Sequence, residues 1–134
     1  MLAQAQSPDA FTGTWKLNPH KSTSVAKEDE YTAGIRIYTP ANDGQHVTYT
    51  MTHGDGNVTK GEYTVRCTAG HCTSDVARWT RKTNRSGDGE TLSNGKVLQK
   101  FIRTVSDDGK TLTITFFAQN MKSKTSVQIW ERQP

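Results

Sequence analysis

Residues Phe11-Thr12-Gly13-Thr14-Trp15-Lys16-Leu17-Asn18 alternate strictly, with Phe11, Gly13, Trp15 and Leu17 on one face and Thr12, Thr14, Lys16 and Asn18 on the other. A period of two marks a half-buried β-strand, and here it recurs almost to the C-terminus. Few folds accept such a chain. Successive alternating runs joined by tight turns bury one face of each strand and leave the other wet, as in an antiparallel barrel closed on its first strand. A hydrophobic share of 32 % is low for a globular domain, yet it suffices where only every second strand residue must be apolar. About twenty threonines lie in these runs, and threonine suits an exposed pleated surface. Tryptophan, tyrosine, phenylalanine and isoleucine recur at regular intervals, which argues against disorder.

The turns divide the rest. Asn18-Pro19 ends strand one, and Pro19 to Ala33 lacks alternation around a charged Lys27-Glu28-Asp29-Glu30 centre. That segment reads as a flap across one mouth of the barrel, with room for a helical turn. Strand two runs from Gly34 to Thr39 and stops at Pro40; Asn42-Asp43-Gly44 is a strong hairpin turn. His46 to His53, Val58 to Cys67, Asp75 to Thr83, Glu90 to Leu92, Val97 to Ser106, Thr111 to Ala118 and Thr125 to Arg132 follow. Between them stand the turns Gly54-Asp55-Gly56-Asn57, Asn84 to Gly89, Ser93 to Lys96, Asp107 to Lys110 and Asn120 to Lys124. Eight to nine strands with no helix long enough to cover a sheet predict an all-β, antiparallel up-and-down barrel. A two-sheet sandwich has similar local signals.

At 134 residues the chain fits one domain with one core, read here as 7–134. Residues 1–6 resemble the end of a secretory signal, because Ala3-Gln4-Ala5 is an A-x-A cleavage pattern. No run approaches a transmembrane span, so no integral membrane association is expected. Cys67 and Cys72 flank Thr68-Ala69-Gly70-His71, and an oxidising compartment would let them close a disulfide around that turn. A secreted or periplasmic location is therefore expected. The net charge of +4 is modest, and outside Arg78, Arg81, Lys82 and Arg85 the basic residues are scattered among acids. A nucleic-acid partner normally needs a denser basic stripe with interleaved aromatics, so none is expected.

Glycine-x-tryptophan on a first strand followed by meandering hairpins resembles the lipocalin and fatty-acid-binding group of barrels, the calycins. Three segments are similar to short exported bacterial lipocalin-like proteins: Phe11 to Asn18 with Lys21-Ser22, Arg36-Ile37-Tyr38-Thr39-Pro40, and Val105 to Ile114. The resemblance implies the barrel and a hydrophobic-ligand carrier role. It also implies that Trp15 closes one barrel end, with Arg132 packed across it. The Cys67 to Cys72 loop and Arg78-Trp79-Thr80-Arg81 have no counterpart in that resemblance.

On strand two, Arg36 and Tyr38 share one face and Ile35 and Ile37 the other. Isoleucines are the natural choice for an interior, which would leave Arg36 and Tyr38 on the surface. In the opposite orientation, a buried guanidinium and phenol would hold the carboxylate of a fatty-acid-like ligand, since arginine forks onto carboxylates. Tyr49, Met51, Trp79, Phe101, Phe116 and Phe117 would then line a cavity, or else fill a dry core. The four histidines His20, His46, His53 and His71 form no recognised ligand pair, and Cys67, His71 and Cys72 lack a fourth ligand, so no metal is assigned. No cofactor or phosphate-loop motif and no nucleophile elbow appears, and no catalytic residue is assigned.

Three functions fit these features. The first is an exported carrier of a small, mainly hydrophobic molecule, with or without a carboxylate. The second is a small barrel enzyme that assembles acid and base from distant strands around an apolar substrate. The third is a solid-cored interaction module whose basic face meets an acidic partner.

Overall fold

A computed structural model describes residues 9–24, 30–118 and 124–134. The strands in chain order are β1 (Gly13–Leu17), β2 (Thr23–Ser24), β3 (Tyr31–Ala41), β4 (Gly44–His53), β5 (Val58–Thr68) and β6 (His71–Thr73). They continue with β7 (Ala77–Thr83), β8 (Ser86–Ser93), β9 (Lys96–Val105), β10 (Thr111–Phe117) and β11 (Lys124–Arg132). Neighbouring strands are antiparallel, and the order β1-β3-β4-β5-β6-β7-β8-β9-β10-β11 closes when β1 pairs with β11. Ten strands form the wall. β2 lies outside the ring, on β11, through Ser24 opposite Ser126 and Thr23 opposite Val127.

The barrel and its antiparallel meander follow the alternation, but the strand count corrects the expected eight to nine. His71 to Thr73 reads as part of a turn, yet it forms β6 because Cys72 stands directly opposite Cys67. β8 starts at Ser86, inside a stretch that reads as a turn. Its glycines answer to neighbours: a Cβ on Gly87 would lie 2.9 Å from the Thr80 carbonyl oxygen, and one on Gly89 would lie 2.3 Å from the Phe101 ring. Pro40 does not stop β3, because β1 pairs only as far as Tyr38 and the proline's missing N–H faces no strand on that side. Of the expected flap, Thr23–Ser24 forms β2 and Tyr31 to Ala33 belong to β3. Its centre, like residues 1–6 and most of Asn120 to Lys124, lies outside the described residues.

The core is set by side chains that face inward at every second position. Trp15, Trp130, Tyr38, Phe11, Leu112, Val47 and Val65 are fully buried. Phe11 and the residues around it plug one end. The Trp15 indole Nε1 donates to the Phe11 carbonyl at 2.9 Å. The Arg132 guanidinium stacks 4.2 Å from the Trp15 ring and donates to the carbonyls of Ala10, Thr12 and Gly109 at 2.6, 2.7 and 2.7 Å. Gly13, at φ +135°, makes room for it: a Cβ there would stand 2.5 Å from Arg132 Nη1.

The wall is thinnest at β6. This strand meets β5 only at Arg66 to Thr68 and β7 only at Arg78 to Thr80. Beside residues 58–65 of β5 no strand follows among the described residues, which leaves a lateral slot in the described barrel wall.

Candidate ligand cavity

Behind that slot lies a cavity of about 420 Å³, lined by residues of β3, β4, β5, β7, β8, β9 and β10. Small-molecule sites typically measure ~300–1,000 Å³ and are mainly apolar with a few placed polar groups. Here Tyr49, Tyr63, Ala77, Trp79, Phe101, Ile114 and Phe116 supply the apolar surface, with Val76 and Leu98 among the lining residues. Val76 and Leu98 are half exposed, which puts them at the rim.

Two arginines face this space. The inward face of β3 is fixed by its hairpin partner, because Val47, Tyr49 and Met51 of β4 stand opposite Tyr38, Arg36 and Gly34. Directly opposed residues share a face, and burying Val47 and Met51 carries Arg36 and Tyr38 inward. The expectation that the isoleucines point inward is thereby corrected: Ile35 is 37 % exposed, whereas Tyr38 is 1 % exposed. Arg36 Nε donates to the Tyr38 hydroxyl at 2.9 Å. The Arg36 guanidinium lies 5.5, 5.6 and 5.8 Å from the ring centres of Tyr38, Tyr49 and Trp130.

Arg103 enters from β9 and is 3 % exposed. Its guanidinium is sandwiched between Phe11, 3.9 Å away, and Trp79, 4.1 Å away. It also lies 5.6 Å from the Tyr38 ring centre. Its Nε is buried without a partner, an arrangement that costs on the order of 1–3 kcal/mol unless something else accepts the bond. Arg103 is not among the residues expected from the sequence, although Phe101, Arg103 and Val105 share a parity whose outer members are apolar. Tyr63, which shares the inward parity of β5 with the buried Val65, is not singled out either.

The charges in the cavity are one-sided. Burial lowers the pKa of Arg103, with Tyr38 and Tyr63 opposing it. Burial also acts to lower Arg36, but the phenols of Tyr38, Tyr63 and Tyr49 outweigh it and the net shift is upward. For Tyr38, burial alone would push the phenol up, yet the guanidiniums of Arg36 and Arg103 prevail and its pKa falls below the usual 10.0. Tyr63 goes the other way, raised chiefly by burial. Among the lining residues the single carboxylate is Glu62. Its side chain is 71 % exposed and engages His46 Nε2 at 3.2 Å. Neither arginine makes an ion pair among the described residues.

Tyr49, Trp79 and Phe101 line the cavity with Arg36 and Tyr38; Met51 and Phe117 do not. Met51 is instead buried beneath Gly34, where an added Cβ would lie 3.0 Å from both the Met51 sulfur and the Trp130 ring. In β10 the lining phenylalanine is Phe116 rather than Phe117, because Leu112, Ile114 and Phe116 share the inward parity and the ladder to β11 shifts register after Phe116. Cys67 and Cys72 form a disulfide of 2.06 Å across β5 and β6, so neither thiol is free for a metal. His46, His53 and His71 bond threonine hydroxyls of adjacent strands. A second hollow of about 400 Å³ is formed by β6 to β9. Its Arg78 pairs with Glu90 at 2.6 Å, Lys100 with Glu90 at 4.0 Å and Lys82 with Asp88 at 3.9 Å, so each of these cations already has a carboxylate partner.

No family model matches the sequence, and no curated protein does. Among solved structures the chain is similar to a redesigned β-barrel, with a TM-score of 0.56 and 17 % identity over 99 % of this chain and 100 % of that one. A de novo designed fluorescence-activating β-barrel gives 0.49 and 16 % over 99 % and 100 %. The siderocalin Ex-FABP, described as functioning through dual ligand specificities, gives 0.45 and 11 % over 92 % and 74 %. At these identities the likeness is one of fold alone, a closed antiparallel β-barrel.

Proposed function

We propose that the chain is a carrier for a small, mainly apolar molecule bearing one acidic group. The acid lies against Arg36, Tyr38 and Arg103, and the apolar body lies toward Tyr49, Phe101 and Phe116. One observation carries this reading: the half-buried Arg36 and the buried Arg103 border a cavity of about 420 Å³, and neither forms an ion pair with a carboxylate among the described residues. Buried charge is costly unless paired, and arginine binds carboxylates through two parallel hydrogen bonds. The disulfide is in keeping with an exported protein of the kind the sequence resembles.

The reading is tested by titrating an apolar fluorophore that carries an acidic group. Saturable one-to-one binding is expected, with displacement by a medium-chain fatty acid at least about tenfold better than by the alcohol of equal length, as a charged hydrogen bond of ~1.5–3 kcal/mol requires. Equal displacement by acid and alcohol, or no saturable binding, overturns it.

A further inference from the structure

The slot beside β5 exposes a strand edge whose charges are complementary to a second copy of themselves. Asn57 accepts from His53, and Cys67 donates to Asp43, so the odd-numbered residues of β5 spend their backbone groups on the β4 side. The N–H and C=O groups of Lys60, Glu62 and Thr64 therefore point the other way. β6 covers only Arg66 to Thr68, and no strand pairs with the edge above that among the described residues. Unpaired edges are templates for another strand.

We propose that two copies of this chain associate through β5, edge to edge and antiparallel, on a two-fold axis at Gly61. In that register Lys60 faces Glu62 of the second copy and Glu62 faces its Lys60, while Val58 faces Thr64. These are the residues whose backbone groups are free, so each opposed pair exchanges both of its hydrogen bonds. Neighbouring registers fail on charge. An axis at Lys60 opposes lysine to lysine, one at Glu62 opposes glutamate to glutamate, and one at Tyr63 opposes Lys60 to Arg66. A two-fold interface is self-complementary by construction, and the Lys60-Gly61-Glu62 order meets that condition. Glu62 already touches His46 through Oε2, which leaves its other oxygen for the incoming lysine. Val58, Val76 and Leu98, 52 %, 46 % and 53 % exposed, lie on or beside the same slot and would be covered. The inference rests on this edge and its charges and does not depend on the ligand proposed above.

Sedimentation velocity across a concentration series tests it, with amide exchange as the local readout. A concentration-dependent dimer is expected, with the amides of Lys60, Glu62 and Thr64 slowing as it forms. Lys60→Glu and Glu62→Lys each place like charges in both pairs of residues 60 and 62, and each is expected to weaken the dimer by about tenfold or more. Mixing the two variants restores opposite charges in both pairs of residues 60 and 62, so the heterodimer is expected to form where neither variant self-associates. Unchanged circular dichroism confirms that both variants fold. A wild-type chain that stays monomeric, a dimer that leaves those amides unprotected, or a mixture that fails to associate overturns the proposal.

Discussion

Arg103 holds the clearest tension between stability and binding. Its head is buried, its Nε lacks a partner, and its stacking on Phe11 and Trp79 repays only part of the desolvation. Replacing a buried charge with a well-packed apolar residue is often stabilising by about 1–4 kcal/mol. Arg103→Met is therefore expected to raise the melting temperature of the free protein while lowering affinity for an acidic apolar dye by about tenfold or more. A variant that binds the dye as tightly as the parent would remove Arg103 from the site. Tyr38 adds a pH dependence of defined sign. As a neutral phenol it can donate to a bound carboxylate; as a phenolate it repels one. Its pKa is held below 10.0 because the two guanidiniums outweigh its burial. Affinity for the acid is thus full below that lowered value and falls as pH rises through it, before ordinary tyrosines ionise. Dissociation constants measured across the pH range in which the barrel stays folded should show this limb below pH 10 in the parent and not in Tyr38→Phe.

β6 shows how much one short element can decide. Its ladders cover three residues on each side, too few to hold a strand without help. The disulfide supplies that help. Closing so short a loop contributes about 2 kcal/mol by the chain-entropy account. Reduction, or Cys67→Ser with Cys72→Ser, is expected to lower the melting temperature by roughly 5–10 °C with the far-ultraviolet spectrum retained; loss of all β signal would mean the bond is needed for the barrel itself. Most elements were legible in the sequence because alternation and turn chemistry are local. β6 and the start of β8 were not, since Gly87 and Gly89 look like turn residues and are strand residues only because Thr80 and Phe101 crowd them. The inward face of β3 was open on β3 alone, where Ile35 and Ile37 compete with Arg36 and Tyr38. Register decides it. A two-residue turn at Asn42-Asp43 places Arg36 opposite Tyr49, and the apolar face of β4 then settles which way both point. Arg103 was harder, because the argument for its burial needs the ring to be closed around it.

Across the whole molecule, the base and the cavity meet at Arg103. Phe11 belongs to the plug that seals the barrel beneath Trp15, yet its ring is also one wall of the Arg103 sandwich. Arg132 holds that plug by donating to three carbonyls, of which Ala10 and Thr12 flank Phe11. Asp9 adds a second tie, 2.6 Å from Arg81 and 3.3 Å from Gln45 Nε2. Removing the Arg132 head should therefore act at a distance. Arg132→Met leaves three carbonyls without their donor and is expected to cost about 3 kcal/mol in urea unfolding. Because Phe11 then loosens, water reaches Arg103 from below and the guanidinium no longer holds an acid in a dry site. Affinity for an acidic dye should fall several-fold, whereas a neutral dye of the same shape, which depends on Tyr49, Phe101 and Phe116 further up, should bind nearly unchanged. Arg132→Lys keeps the charge but not the fork that spans three acceptors, so it should fall between parent and Arg132→Met on both measurements. Equal losses for the two dyes would show that the plug supports the barrel as a whole and has no particular hold on the head-group end of the cavity.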